Sequence, residues 1–239
     1  MPELCQEIAC NEAHIWSIRL DREEGEIERH DQTLTPEEHK RAARFYFARH
    51  RRRYIISHGA MREILGEYLG ANPTDIPFDQ TDHGKPGLTG PLKESNLYFN
   101  LTHSYEMALL AVVLDCEIGV DVEYVKKMGD IDGIAGRFFS ASEQAVYFEL
   151  PEDQRPQAFF NCWTRKEAFI KAIGEGLSYP LHQFDVSLAP GEPAQLLRVE
   201  TDPDEALRWT MAAFHPTPDY TASVALRARG VKIRHFEFV

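Results

Sequence analysis

The sequence has no apolar run long enough to cross a membrane. Its longest uninterrupted apolar stretch, residues 107–114, is eight residues long, whereas a membrane helix needs roughly 18–20. The first residues have neither the basic start nor the apolar segment of a secretory signal peptide. The four cysteines (Cys5, Cys10, Cys116 and Cys162) form no CxxC pair and lack zinc-finger spacing, which argues against a disulfide framework or structural zinc. We therefore expect a cytoplasmic protein without membrane contact.

Several common catalytic signatures are also missing. The chain has no GxxxxGKS/T phosphate loop, no GxGxxG, no HExxH and no GxSxG nucleophile elbow. Its 239 residues leave room for one large domain or two small ones. Apolar residues make up 43% of the chain and charged residues 27%, which is typical of a globular protein and not of a disordered or coiled-coil chain.

Positive charge is scarce and confined to one segment. The 38 acidic side chains outnumber the 26 basic ones, giving a net charge of −12 that repels nucleic acid and anionic membranes. Residues 1–38 carry 11 acids and 3 bases, whereas residues 39–62 carry no acid and eight bases. These are Lys40, Arg41, Arg44, Arg49, Arg51, Arg52, Arg53 and Arg62. The segment is either a solvated helix face or a site for an anion, and charge alone names no ligand.

Hydrophobic spacing predicts short strands packed on a few helices, an α+β fold. The predicted strands are residues 15–20, 97–101, 108–114, 118–122, 185–188, 208–214, 220–226 and 232–238. Three helices are predicted. A long helix runs from Thr35-Pro36 to Gly70 and allows a bend near residues 47–52. A second helix begins at the Ser140–Glu143 capping box, and a third covers residues 156–173. Because no low-complexity or long linker separates the two halves of the sequence, a domain boundary near residue 115 would join the two domains directly.

Two carboxylates share one face of a predicted strand. In residues 118–123 the apolar positions alternate with Asp121 and Glu123, so both acids project from the same side. Such a pair is a natural half-site for Mg²⁺, which prefers oxygen ligands and is commonly completed by substrate phosphates. The alternative is an ordinary amphipathic edge strand whose acids are solvated.

The helix over residues 156–173 places Glu167 and Lys171 four residues apart on one face. They could be a simple ion pair worth about 0.2–0.5 kcal/mol. They could instead supply a third carboxylate or a base and a cation beside phosphate oxygens. Two further groups lie in turns: His103 in Thr-His-Ser, and Lys85 between Gly84 and Pro86. Spacing alone does not assign a role to any of them.

Taken in order, these motifs resemble the 4′-phosphopantetheinyl transferases of the surfactin-synthetase-activating type. The resemblance covers about residues 35–188. It rests on Gly84-Lys85-Pro86, Phe99-Asn-Leu-Thr-His-Ser104, Ile118-Gly-Val-Asp-Val-Glu123, Arg137-Phe-Phe-Ser140, Trp163-Thr-Arg-Lys-Glu-Ala-Phe-Ile-Lys171 and Gly174-x-Gly-Leu-Ser178.

The resemblance implies a monomer of two similar α+β halves related by pseudo-two-fold symmetry, residues 1–115 and 116–239, with the active site at their interface. Coenzyme A would bind there with Mg²⁺ on its diphosphate. The metal carboxylates of the family fall on Asp121, Glu123 and Glu167, and its catalytic lysine falls on Lys171. The residues implied for the 3′-phospho-adenosine diphosphate end are Arg41, Arg53, Lys85, Thr102 and His103.

Two positions depart from the family pattern. Glu38 stands where a lysine is common, and Tyr54 stands where a small hydroxyl residue is common. Both positions concern the coenzyme A contacts and not the reaction itself.

The implied reaction moves the 4′-phosphopantetheine arm from coenzyme A to a serine of an acyl or peptidyl carrier protein and releases adenosine 3′,5′-bisphosphate. Glu167, directly or through a water molecule, is the candidate base for the serine proton, and Lys171 would stabilise charge on the diphosphate or the attacking oxygen. The rival interpretations are a Mg²⁺-dependent phosphohydrolase or nuclease, and a non-catalytic module that binds a nucleotide or carrier domain. The net charge of −12 disfavours nucleic acid as a partner.

Overall fold

The computed structural model describes residues 7–126 and 129–239, so Cys5 lies outside the described residues. The helices are α1 (Glu24–Asp31), α2 (Pro36–Ala42), α3 (Ala48–Leu69), α4 (Ile131–Phe138), α5 (Ala141–Glu149) and α6 (Arg155–Ile173). The strands are β1 (Glu12–Arg19), β2 (Phe78–Gln80), β3 (Pro86–Leu88), β4 (Leu97–Ser104), β5 (Met107–Leu114), β6 (Ile118–Tyr124), β7 (Phe184–Val186), β8 (Leu196–Val199), β9 (Thr210–Phe214), β10 (Tyr220–Leu226) and β11 (Lys232–Phe238).

Two sheets share the same strand order. In the first sheet β1 pairs with β5 and β5 with β4, and in the second β6 pairs with β10 and β10 with β9, all antiparallel. In each case a strand and a long helix precede the last two strands of the set, with α3 in the first set and α6 in the second. The prediction of an α+β fold with two similar halves is therefore confirmed.

The last strand of the chain lies in the first sheet. β11 runs parallel to β1, with Lys232 opposite Glu12 and Phe238 opposite Ile18. A boundary at residues 115/116 would therefore place β11 in one half by sequence and in the other by hydrogen bonding. The division into residues 1–115 and 116–239 stays a prediction.

Three apolar clusters hold the layers together. One lies between α3 and the first sheet, one surrounds α6 and α5, and one lies between the two sheets with residues from β1, β5, β6 and β10. In β5, Leu110 and Val112 face the α3 side while Leu109 and Val113 face the second sheet. This explains the longest apolar run in the sequence, because both faces of the strand are covered. No helix among the described residues is long and apolar enough to span a membrane.

The helix predicted after Thr35 divides into α2 and α3. Thr35 is the N-cap of α2, as the sequence predicted, and it also forms a capping box with Glu38. α2 ends at Ala42, and α3 begins at Ala48. The bend allowed near residues 47–52 is thus a break, which leaves residues 43–47 outside both helices.

α6 is anchored by a buried ion pair that sequence reasoning did not find. Lys166 donates to the carbonyl oxygens of Leu181 and Phe184, both at 2.7 Å, and pairs with Glu143 at 2.9 Å. Glu143 in turn accepts the backbone N–H of Val186 and, as the cap of α5, that of Ser140. Both charged groups are buried and fully partnered, so this end of α6 is held in one position.

Replacing Lys166 by methionine should lower the free energy of unfolding by about 3–5 kcal/mol, because the Glu143 carboxylate stays buried without its cation. Urea titration followed by circular dichroism measures the loss. The matched control is Lys93→Met at an exposed lysine, which should change the value by less than about 0.5 kcal/mol. A loss below about 1 kcal/mol for Lys166→Met would show that the pair contributes little.

Candidate active site

Polar side chains on β4 connect the edge of the first sheet to β6. Asn100 Oδ1 accepts the N–H of Val120 at 2.9 Å, and Ser104 Oγ accepts the N–H of Tyr124 at 3.2 Å. Ser104 Oγ also donates to Glu123 Oε2 at 2.8 Å. Asn100, Thr102 and Ser104 alternate along β4 and therefore point the same way. The two halves meet at this line of hydrogen bonds, and it holds β6 and its acids in register.

Asp121 lies at the centre of the site. Its side chain is on the opposite face of β6 from the inter-sheet cluster, as the alternation predicts, and only 3% of the residue is exposed. Lys171 Nζ donates to Asp121 Oδ1 at 2.5 Å and to Thr102 Oγ1 at 3.0 Å, and Thr102 Oγ1 donates to Asp121 Oδ1 at 3.3 Å. Lys171 thus pairs with the strand and not with Glu167. The alternatives of a solvated edge strand and a simple helix ion pair are both wrong, because α6 packs directly on β6.

The electrostatics of the carboxylates indicate an unbalanced negative site. Burial, and then the charge of Asp121, raise the pKa of Glu167 to about 7 and raise the pKa of Glu123. Burial also raises the pKa of Asp121, although Lys171 opposes this. Lys171 acts on all three carboxylates and Lys126 acts on Glu123 as well, so the ionised site still carries an excess of negative charge.

This donor set fits a hard divalent cation. Asp121 Oδ2 is buried without a hydrogen-bond partner among the described residues, and the nearby donors are carboxylate oxygens of the kind Mg²⁺ prefers. As the side chains stand, no three His, Cys, Asp or Glu residues of the described chain are gathered closely enough to enclose an ion. The residues that the sequence singled out are nevertheless the ones whose charges act on each other here.

A cleft of about 660 Å³ opens beside Lys171; we call it the first cleft. Its walls come from α2, α3, β4 and the β2–β3 hairpin. Of the residues implied to bind coenzyme A, Arg41, Thr102 and His103 line it together with Lys171. Burial lowers the pKa of His103, so its ring is neutral at pH 7 and can donate or accept a hydrogen bond.

Arg53 and Lys85 lie elsewhere. Arg53 is held in two hydrogen bonds by Asp21, at 2.8 and 3.0 Å, and its guanidinium also lies 3.4 Å from Glu106. Lys85 Nζ donates to the carbonyl oxygens of Ile118 and Ala172, at 3.1 and 2.7 Å, and burial lowers its pKa to about 8. The lysine thus connects the start of β6 to the last turn of α6. Neither side chain lines the first cleft.

Arg53 instead lines a second cleft of about 670 Å³. Glu123, Ser104 and His103 form part of its wall, and Arg49, His50 and Lys126 add positive or titratable groups. His103 borders both clefts. Two separate spaces therefore border His103, one of them reaching Lys171 and the other Glu123.

The wall of the first cleft also contains His58, which sequence reasoning missed. Tyr54 and His58 stack with ring centroids 3.8 Å apart, and burial lowers the pKa of His58 to about 4. Glu38, the departure from the family pattern, accepts a hydrogen bond from Arg62 at 2.7 Å. Tyr54 and His58 are four residues apart on a helix, and this spacing was the available signal. The Glu38–Arg62 pair joins α2 to α3 and has no local signal.

Two family models match the chain. The model described as 4′-phosphopantetheinyl transferase superfamily matches residues 117–225, and the model described as 4′-phosphopantetheinyl transferase, N-terminal, matches residues 21–114.

Curated relatives span most of this chain. The 4′-phosphopantetheinyl transferase HetI of Nostoc sp. is 40% identical over 92% of this chain and 90% of its own length. A 4′-phosphopantetheinyl transferase of Bacillus subtilis is 32% identical over 84% of this chain and 92% of its own. The Bacillus subtilis enzyme named Sfp is 28% identical over 89% and 96%. The chain therefore belongs to the 4′-phosphopantetheinyl transferases, enzymes that pass the phosphopantetheine arm of coenzyme A to carrier proteins.

Proposed function

We propose that this chain, acting as a monomer, uses Mg²⁺ to transfer 4′-phosphopantetheine from coenzyme A to a serine of an acyl or peptidyl carrier protein, releasing adenosine 3′,5′-bisphosphate. The observation that carries this proposal is that Asp121, Glu123, Glu167 and Lys171 act on one another's charges beside two clefts, with Lys171 in the wall of the first and Glu123 in the wall of the second. One cleft can hold the donor and the other can admit the acceptor. Both come from a single chain, which supports a monomer.

Asp121, Glu123 and Glu167 would hold the Mg²⁺ ion, which supplies positive charge to the diphosphate when it is bound. Lys171 is oriented by Thr102 and Asp121, so its ammonium group can stabilise charge on the transferring phosphate. His103 borders both clefts and can donate a hydrogen bond to a phosphate oxygen. Arg41 lines the first cleft and can bind the 3′-phosphate.

The serine oxygen attacks the phosphorus that carries the pantetheine arm, and the bond from that phosphorus to the oxygen of the leaving adenosine bisphosphate breaks. The serine proton needs an acceptor. A pKa of about 7 suits Glu167 for this role, because a general base works best when its pKa is near the working pH. Since the nucleophile belongs to the carrier, the enzyme needs no serine or cysteine nucleophile of its own, and positioning and charge stabilisation supply the rest.

Intact-mass spectrometry tests the reaction. Incubation with coenzyme A, Mg²⁺ and an apo carrier protein should increase the carrier mass by about 340 Da, the mass of the transferred arm. A hydrolase would consume coenzyme A without changing the carrier, and a binding module would leave both unchanged. Either outcome would overturn the proposal.

Replacing Arg41 by alanine should raise the Michaelis constant for coenzyme A about tenfold or more, because a charge-assisted hydrogen bond contributes roughly 1.5–3 kcal/mol. The constant for dephospho-coenzyme A, which lacks the 3′-phosphate, should hardly change. Steady-state kinetics with both donors measures the difference.

Arg53→Ala is the matched comparison. Arg53 was implied as a coenzyme A ligand, but its guanidinium is already bound by Asp21. If Arg53 binds the 3′-phosphate, its variant should show the same donor-specific increase as Arg41→Ala. If Arg41→Ala changes the constants for coenzyme A and dephospho-coenzyme A by the same factor, or changes neither, Arg41 does not bind the 3′-phosphate.

A further inference from the structure

The break between α2 and α3 exposes two aromatic rings. Tyr46 is 92% exposed and Phe47 is 55% exposed. The rings meet edge to face with centroids 4.9 Å apart, so they form one apolar surface and not two isolated side chains. Little of this apolar area is buried within the fold. An exposed apolar surface rimmed by polar groups marks an interaction site.

Three arginines lie close to the two rings in the sequence. Arg44, Arg49 and Arg51 are exposed and form no ion pair with any residue in the described ranges. Their neighbours differ, because Arg52 pairs with Glu24 and Arg53 with Asp21. The Arg49 guanidinium lies 5.6 Å from the centre of the Phe47 ring. We call Arg44, Tyr46, Phe47, Arg49 and Arg51 the arginine–aromatic patch.

The patch borders the acceptor side of the site. Arg49 and the neighbouring Phe45 line the second cleft, and the wall of the same cleft includes Glu123. A molecule that covers the patch is therefore positioned to reach from the second cleft toward the carboxylates. The first cleft, which suits the donor, opens on the other side of His103.

The chemistry of the patch specifies its partner. Tyrosine, phenylalanine and arginine are the residues enriched at the centres of protein interfaces. Exposed guanidinium groups without an ion-pair contact favour an acidic surface, and two rings favour apolar groups at its centre. The chain has a net charge of −12, so an extended polyanion such as nucleic acid would be repelled by the acidic surface outside the patch. A small folded domain can cover the patch without contacting that acidic surface.

We infer that the arginine–aromatic patch is the docking surface for an acidic carrier domain, whose acceptor serine enters through the second cleft. This inference rests on the proposed transfer reaction and adds the place where the partner binds. Opposite charges on the two surfaces would accelerate their encounter and make it sensitive to salt.

Two double variants test the patch: Tyr46→Ser with Phe47→Ser, and Arg44→Glu with Arg49→Glu. Each should raise the apparent Michaelis constant for the carrier about tenfold or more, while the constant for coenzyme A and the rate at saturating carrier stay within about twofold. The charge-reversal pair should also lose the salt dependence of the carrier constant. Leu207→Ser, at a residue 69% exposed, and Lys232→Glu are matched controls elsewhere on the surface and should leave the carrier constant unchanged.

The outcomes separate the docking inference from the proposed reaction. If the parent chain fails to modify any carrier, the proposed reaction fails. If the parent transfers the arm and the double variants keep its carrier constant, the docking inference alone fails. Titration with duplex DNA provides the remaining outcome, because DNA binding that the arginine variants abolish would assign the patch to nucleic acid and overturn the inference.

Discussion

Replacing Glu167 by glutamine should lower the rate constant for phosphopantetheine transfer by about 10²–10⁴-fold, the usual contribution of a general base. Glutamine keeps the size of the side chain, but it takes up no proton at neutral pH and lacks the negative charge with which a carboxylate attracts Mg²⁺. Burial and Asp121 raise the pKa of the Glu167 carboxyl group to about 7 in the absence of a bound cation, which is compatible with the proposed role as a base. A single-turnover assay at saturating carrier and Mg²⁺ isolates this step.

The matched control is Glu149→Gln, at an exposed glutamate that ends α5, and it should transfer at the parental rate. Coenzyme A binding, measured by calorimetry without Mg²⁺, should be similar in both variants. Asp121→Ala and Glu123→Ala should lose transfer as Glu167→Gln does. If all three keep near-normal turnover at saturating Mg²⁺, the carboxylates have no part in the reaction.

Replacing Gly119 by alanine should lower both stability and transfer. The residue lies where β6 passes α6, and an added Cβ would collide with backbone atoms of Ala168 and Ala172. A side chain could relieve the collision by changing its rotamer, but backbone atoms cannot, so α6 must move. Overpacking of this kind costs typically 1–3 kcal/mol. Because α6 carries Glu167 and Lys171, a shift of about 1 Å should reduce the transfer rate on the order of 10²-fold.

Gly136→Ala provides the contrast. Gly136 lies in α4 with open space around the position of a Cβ, so alanine there should be neutral or slightly stabilising. Thermal melting gives the stability of both variants, and the single-turnover assay well below their melting temperatures gives the rates. A Gly119→Ala variant as active as Gly136→Ala would mean that the close approach of α6 does not set the geometry of the site.

Local signals predicted a large part of this molecule. The alternation in residues 118–123 predicted that Asp121 and Glu123 share a face, because the side-chain period of a strand is two. The predicted N-cap at Thr35 and the predicted capping box at Ser140 both mark real helix starts, since their hydrogen bonds involve residues only three apart. Such features depend on the geometry of only a few neighbouring residues, so they can be predicted from the local sequence.

Features that depend on distant partners were not predictable in this way. Lys171 was considered with Glu167, four residues away, but its partner Asp121 is 50 residues away. Arg53 has the charge for a phosphate ligand, yet Asp21 and Glu106 already bind it. Which cation meets which carboxylate is decided by packing of α6 on β6 and of α3 on the first sheet, and no periodicity in the sequence encodes that choice.

Glu38 illustrates how a local departure can be compensated. In the sequence, Glu38 places an acid where the family commonly has a lysine, beside the expected phosphate site. In the structure its carboxylate is satisfied by Thr35 and Arg62, so its charge is largely neutralised. The first cleft therefore contains fewer positive charges available to a ligand than the basic segment suggests. Arg41 is the arginine best placed there for an anion.

The pairing of β11 with β1 has a consequence for how the chain matures on the ribosome. Until residues 232–238 have been synthesised, β1 presents an unpaired parallel edge, and Trp16 lacks the ring of Phe236 that stacks on it at 4.9 Å. Such an edge invites pairing with another nascent chain. Premature termination just before β11 would therefore keep Asp121, Glu123 and Glu167 in the product but leave the edge of β1 unpaired, so the truncated chain should aggregate.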